Sequence, residues 1–279
     1  MLRKGDIMEA GKGKPFEKIP KGRTLKMKLE FLGTGAADYH LERHEHEEGF
    51  RRYSSALLDG RLLFDPGPHI FHYQKTFGKD DLFRDLRYVL VTHSHADHLN
   101  MDSVRGLLKI CPECQFFGNV ATARMFEEAG IPFTVMELGK EVAIGDYLVT
   151  PLRSNHTGNF DDDFLYSVVS GDKKLFYGTD TGLLPEPTWN YIKDRLYDLF
   201  VMELTIGDHP DAPHLHSHMT LPTFTLMVKT MKKRYRTIKE GGVFVTTHMA
   251  RNWHDHEHLA EQLAPFGAVP AYDGYTVEV

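Results

Sequence analysis

From Met27 to Leu32 apolar and polar side chains alternate, the period-two pattern of a strand, and Gly33-Thr34-Gly35 closes it as a turn. Ser55–Leu58 and Arg61–Phe64 are apolar runs flanking Asp59-Gly60, a dipeptide suited to a tight hairpin. Asp65-Pro66-Gly67-Pro68 reads as a second turn. Tyr88–Thr92 is a short β-branched run, and Leu99–Leu108 has helical spacing. Later strands are expected at Tyr147–Leu152, Phe164–Val169, Lys174–Tyr177, Leu199–Met202 and Val243–Thr246. Helices are expected near Glu186–Arg195, Leu221–Arg236 and Glu257–Leu263. Two strand-rich halves, each followed by helices, predict an α/β molecule with two packed sheets and helices outside. No repeat, low-complexity stretch or linker interrupts the pattern. The expected organisation is an irregular basic leader at 1–26 and one unit at 27–279.

Composition narrows the classes. The chain has 279 residues, 41% hydrophobic and 26% charged, enough to bury a large core. A formal net charge of −6 gives no overall basic field for nucleic acid. Basic residues crowd the first 28 positions, from Arg3 and Lys4 to Lys26 and Lys28. A solvated leader is the preferred reading, an RNA-seeking arm the alternative. No apolar run is long enough to span a bilayer, and no secretory signal is seen. Two cysteines provide no disulfide framework. The expected location is the cytoplasm. Seventeen histidines are many for this length, and their positions carry the chemistry.

His93-Ser94-His95-Ala96-Asp97-His98 follows directly on the Tyr88–Thr92 run. On extended backbone His93 and His95 point the same way, so both can bind one metal ion. Asp97 and His98 can face the same cavity from the turn into the next helix. Imidazole and carboxylate together suit Zn, Mn or Fe. His156, Asp180 and His248 each stand at the end of a later expected strand. Any one of them alone reads as structural; together with the cluster they make five histidines and two aspartates at strand ends.

This order, HxHxDH, His, Asp, His, resembles that of the metallo-β-lactamase superfamily, and Phe31-Leu32-Gly33-Thr34-Gly35 resembles the start of its RNase Z and PhnP branches. The resemblance implies an αββα sandwich. It also implies two divalent metal ions, with His93, His95 and His156 on one, Asp97, His98 and His248 on the other, and Asp180 bridging. Similarity to the PhnP phosphodiesterases continues through Val149-Thr150-Pro151-Leu152, Thr179-Asp180-Thr181-Gly182, Asp211-Ala212-Pro213, Thr247-His248-Met249 and Tyr272-Asp273-Gly274. β-Lactamases proper place cysteine at the Asp180 position, and glyoxalase II-type enzymes need a longer C-terminal region. Only 24 positions separate His156 from Asp180, too few for the tRNA-gripping arm of common RNase Z enzymes.

His218 matches a histidine that these relatives use on the substrate, and an imidazole free of metal can act as general acid near neutral pH. His216 competes for that role by a two-residue shift. Glu203 is expected to orient His218, with an exposed strand-end carboxylate as the alternative. Asp97 joins His218 and Glu203 among the catalytic side chains. The chain lacks the early cysteine cluster that holds a structural zinc in the PhnP family; His40, His44 and His46 stand there, read as a solvated loop near the site's mouth with a different metal site as the alternative, and Arg251 replaces the fourth ligand. Cys111-Pro112-Glu113-Cys114 reads as a strand-entry turn, with metal or redox use as the alternative. His69, His72, His209, His254, His256 and His258 are read as loop decoration, with a substrate rim as the alternative. Gly33-Thr34-Gly35 is no dinucleotide fingerprint, since no helix with a third glycine follows.

The expected activity is hydrolysis of a small cyclic or diester phosphate by a hydroxide shared between two metal ions. A metallohydrolase of a carbon ester, lactone or thioester and an RNase Z-like nuclease are the alternatives. The expected partner is a small phosphodiester substrate, without membrane or nucleic acid, in a homodimer.

Overall fold

The computed structural model describes residues 26–157, 163–208, 217–251 and 255–279. Apart from Lys26, the leader lies outside them, as do Gly158, His209, Asp211-Ala212-Pro213, His214, His216 and His254.

Seven strands form the first sheet: β1 (Lys28–Gly33), β2 (Ser55–Leu58), β3 (Leu62–Phe64), β4 (Tyr88–Leu90), β5 (Gln115–Gly118), β6 (Thr134–Val135) and, from the C-terminal end, β14 (Thr276–Glu278). Seven more form the second: β7 (Val142–Ile144), β8 (Tyr147–Arg153), β9 (Phe164–Ser170), β10 (Lys173–Gly178), β11 (Tyr197–Glu203), β12 (Ile238–Thr247) and β13 (Ala268–Pro270). Their orders are β14-β1-β2-β3-β4-β5-β6 and β13-β12-β11-β10-β9-β8-β7. The β2–β3 hairpin turns on Asp59 and Gly60, both at positive φ (53° and 69°), which the right-handed twist of two paired strands favours.

Strand alternation sorts side chains between an inner and two outer cores. Phe64 and Leu90 face Tyr166, Tyr177 and Val201 between the sheets, where the Phe64 and Tyr177 rings stack at 4.1 Å. On the outer face of the first sheet, Leu63, Val89 and Phe116 receive α2 (Ile70–Thr76), α3 (Met101–Ile110) and α4 (Val120–Glu128). On the outer face of the second, Phe176, Phe200 and Phe244 receive α5 (Glu186–Ile192), α6 (Leu221–Lys233) and α7 (His256–Leu263). The result is the expected αββα sandwich. A single helical turn, α1 (Leu41–His44), lies in the loop after β1.

Boundaries differ from the pattern where the chain changes hand. The α5 helix ends at Ile192, where Lys193 leaves the helical region (ψ 132°) ahead of left-handed Asp194 (φ 59°). The α6 helix stops at Lys233, ahead of Arg236 (φ 46°). β12 begins at Ile238 through Lys239-Glu240-Gly241-Gly242, which carries no alternation and pairs with β11 across a register shift.

β3, β4 and β5 run parallel, as do β10, β11 and β12, so their C-terminal ends share one edge of each sheet. The two edges meet: the Phe164 N–H donates to the Thr92 carbonyl (2.9 Å) and the Tyr166 hydroxyl to the Val91 carbonyl (2.7 Å). Open α/β sheets bind ligands beyond strand C-termini, where loops diverge.

Candidate metal centre

β4 delivers His93, His95, Asp97 and His98 to this edge, and Asn100 caps α3 directly behind them by accepting the Ser103 N–H at 2.9 Å. The other sheet delivers His156 after β8, Asp180 after β10, Glu203 at the end of β11 and His248 after β12. Asp180 and His248 sit at positive φ (46° and 54°), a conformation that non-glycine residues hold only when surrounding structure enforces it.

The seven residues converge. His93, His95 and His156 bring three nitrogens within 4.8 Å of one another; an Asp97 carboxylate oxygen and one nitrogen each of His98 and His248 form a second group within the same limit. Asp180 is close to both groups, with Oδ2 2.7 Å from His98 Nε2 and 3.2 Å from His248 Nε2, and Oδ1 3.7 Å from His156 Nε2. His98 Nε2 and His248 Nε2 face each other at 3.3 Å, and His156 Nε2 lies 3.2 Å from His95 Nδ1. Ligand atoms tetrahedrally placed about 2.0–2.1 Å from an ion lie about 3.3 Å apart, so this spacing fits a chelating set.

The far ring nitrogens explain which atoms face inward. His98 Nδ1–H donates to Asp65 Oδ2 (2.8 Å), His156 Nδ1–H to the Ser217 carbonyl (3.1 Å) and His248 Nδ1–H to Thr205 Oγ1 (2.8 Å). His93 Nδ1 lies 3.1 Å from Thr92 Oγ1, whose proton goes to Asp65. Each ring is thereby fixed in the tautomer that leaves Nε2 bare. His93 Nε2 is buried and without a hydrogen-bond partner, a cost that a bound cation removes.

Charge leads to the same fit. Burial disfavours a charged His98, yet Asp180, Asp97 and Asp65 outweigh it and raise its pKa well above the usual imidazole range. Burial also works against ionised Asp97, but His98 and His248 hold it low. Burial, aided by His98, keeps His93 neutral. The same carboxylates, aimed at one point, also attract a divalent cation.

His218 flanks the cluster. Its Nδ1–H donates to Glu203 Oε1 at 2.8 Å, and the same nitrogen is 3.8 Å from Asp180 Oδ1. Burial opposes its charge, but Glu203 prevails and raises its pKa to about 9. Glu203 is wholly buried and also accepts from the Thr181, Thr205 and Met219 N–H groups and the Thr205 hydroxyl. Through Thr205 it braces His248 as well. His218 is near enough to His156 and Asp180, and to Glu203 and His248, to complete further ligand groups, but its Nδ1 is already committed to Glu203.

Asp65 has no role in the sequence reading, where it is only the start of a turn. It is fully buried at φ 57°, accepts from the Thr92 N–H (2.7 Å) and hydroxyl (2.9 Å), and holds His98. A carboxylate ending the strand beside the histidine-bearing one was the available signal. The other histidines are placed apart. His40 Nδ1 meets the Tyr53 hydroxyl (3.0 Å), His44 pairs with Glu47 and His46 with Glu45. Among the described residues no metal-sized group includes them. Arg251 pairs with Glu47, and its N–H donates to Asp38, tying that loop down. Cys111 and Cys114 are free and buried, and β5 starts at the next residue.

Residues 60–249 match the family of the beta-lactamase superfamily domain. A metal-dependent hydrolase of Haloquadratum walsbyi is 30% identical over 153 residues, 46% of this chain and 59% of that protein. This chain thus spans less than two thirds of that relative's length. The metallo-beta-lactamase fold protein YhfI from Bacillus subtilis superposes with a TM-score of 0.69 at 16% identity, covering 91% of this chain and 100% of that one. A diphosphatase from the PhnP family superposes with a TM-score of 0.68 at 20% identity, covering 91% and 98%.

Proposed function

Since the chain belongs to the beta-lactamase superfamily domain family, we propose that it is a phosphodiesterase, within the metal-dependent hydrolases, acting on a small cyclic or diester phosphate in the manner of the PhnP branch. The observation that carries the phosphodiester reading is His218, an imidazole beside the cluster with Nδ1 fixed on buried Glu203. His93, His95 and His156 would hold one divalent ion and Asp97, His98 and His248 a second, with Asp180 between them. Bound there, such ions supply Lewis acidity toward phosphoryl oxygens and acidify water.

The side chains do the rest. Glu203 keeps the proton of His218 on Nδ1 and stabilises the charged ring, so the opposite nitrogen, Nε2, can carry a second proton to the departing oxygen. Asp180 sets the separation of the two ligand groups. Asp65, Thr92 and Thr205 hold the imidazoles on the inward tautomer. Residues 27–279 act as one catalytic unit in this reading.

A panel of cyclic phosphate, bis(p-nitrophenyl) phosphate, lactone and thioester substrates tests it. Diester turnover with little lactone or thioester turnover is expected; the reverse order refutes the proposal. His218→Ala should retain its metal and lose about 10²–10⁴-fold in kcat, the usual weight of a general acid. Full activity in that variant would remove His218 from the chemistry.

A further inference from the structure

The peptide bond between Asp180 and Thr181 is held at both of its polar atoms. Its carbonyl accepts the Ser154 hydroxyl at 2.6 Å, and its N–H donates to Glu203 Oε1 at 2.7 Å. A trans peptide is planar, so holding both poles fixes the plane. Two residues earlier the chain is fixed again, where Gly178 at the end of β10 pairs with Met202 of β11. Asp180 makes the turn between these anchors at φ 46°, and its carboxylate ends 2.7 Å from His98 Nε2 and 3.7 Å from His156 Nε2. Left-handed backbone is uncommon outside glycine, and aspartate enters it as a single residue with local hydrogen bonds.

Of the two partners of that peptide, Glu203 also carries His218 and braces His248; Ser154 has no such second duty. It is the first residue after β8 and 5% exposed, and its own N–H donates to the Asp163 carbonyl at 3.3 Å. The loop that follows it has ties of its own. The Asn155 N–H donates to the Thr181 hydroxyl (3.1 Å), and the Asn155 carbonyl accepts the Gly182 N–H (2.8 Å). His156 Nδ1–H is held by the Ser217 carbonyl, and the Thr157 N–H by Asp163 Oδ2 (2.8 Å). Loss of the Ser154 hydroxyl therefore leaves the His156 ring anchored and frees the Asp180 carbonyl.

We propose that Ser154 is a positioning residue: its hydroxyl holds the Asp180 peptide in the turn that aims the Asp180 carboxylate between the two ligand groups. This role rests on the placement of Asp180 between two ions proposed above, and it is independent of the phosphodiester substrate.

Metal-free protein is titrated with zinc against a chromophoric chelator, without substrate, as the parent, Ser154→Ala, Asp180→Ala and the double variant. Ser154→Ala should weaken zinc binding about 3- to 10-fold, the effect of one buried neutral hydrogen bond. Added to Asp180→Ala, the same change should alter affinity by less than about twofold, because the carboxylate that it aims is gone. Loaded with cobalt(II) instead, Ser154→Ala should show a visible absorption band displaced from the parent's, since the ligand field follows the carboxylate.

Equal losses with and without the Asp180 carboxylate would make Ser154 a brace of the His156 loop and overturn its hold on Asp180. So would a Ser154→Ala variant with the parent's zinc affinity and cobalt spectrum. A parent that holds a single ion would remove the bridging role of Asp180; a loss for that ion that vanishes in the Asp180→Ala background would still uphold Ser154. A protein that showed this pattern and hydrolysed lactones rather than diesters would uphold Ser154 while removing the phosphodiesterase reading.

Discussion

Asp65 shows how much of the centre depends on residues outside its ligand set. Its carboxylate fixes His98 directly and His93 through Thr92. Asp65→Asn keeps the shape but loses the charge and presents a donor to one of its three partners. Metal affinity should fall about 10- to 100-fold, measured by competition with a chelator, while far-ultraviolet circular dichroism stays unchanged. Unchanged affinity would show that Thr92 and burial alone hold the rings. Asp180→Ala removes the carboxylate closest to both ligand groups. Bound metal per chain should drop, by elemental analysis after dialysis; two tightly held ions would refute the bridging role. The seven candidate ligand positions were legible because histidine and aspartate at strand ends are chemically conspicuous. Asp65 was not, because Pro66 and Gly67 make the same residues read as a turn, which they also are.

Among elements, the turn after β3 is the least tolerant of change. Gly67 lets the Asp97 backbone pass over it, and the Asn100 N–H donates to the Pro66 carbonyl beside it. Gly67→Ala should destabilise the fold by about 1–3 kcal/mol through overpacking and loosen the loop that carries Asp97. A thermal melt equal to the parent's would show that the loop moves aside at no cost. Strands with clear alternation or a hairpin dipeptide, such as β2 and β3, were readable from their own residues. The three-residue β13 and β14 were not: each exists because a long neighbour, β12 or β1, offers its edge. The α2 and α4 helices likewise follow from the apolar outer face they cover more than from their own short patterns.

At the scale of the molecule, the two packed sheets were foreseeable from two strand-rich halves, whereas the meeting of their edges depends on contacts such as Phe164 to Thr92 that no local pattern encodes. The candidate ligands divide between those edges: four from the loop after β4, three from loops of the second sheet. Removing metal with a chelator should therefore lower the melting temperature of the whole fold. An ion held at a hundredfold excess over its Kd adds about 2.7 kcal/mol, or about 5–10 °C for a chain of this size. An unshifted melt would show that the sheets hold together without it. Since the ion and the fold share one equilibrium, this protein's lifetime in a cell would rise and fall with the supply of free metal. Scarcity would act first as a loss of protein and only then as a loss of turnover per molecule.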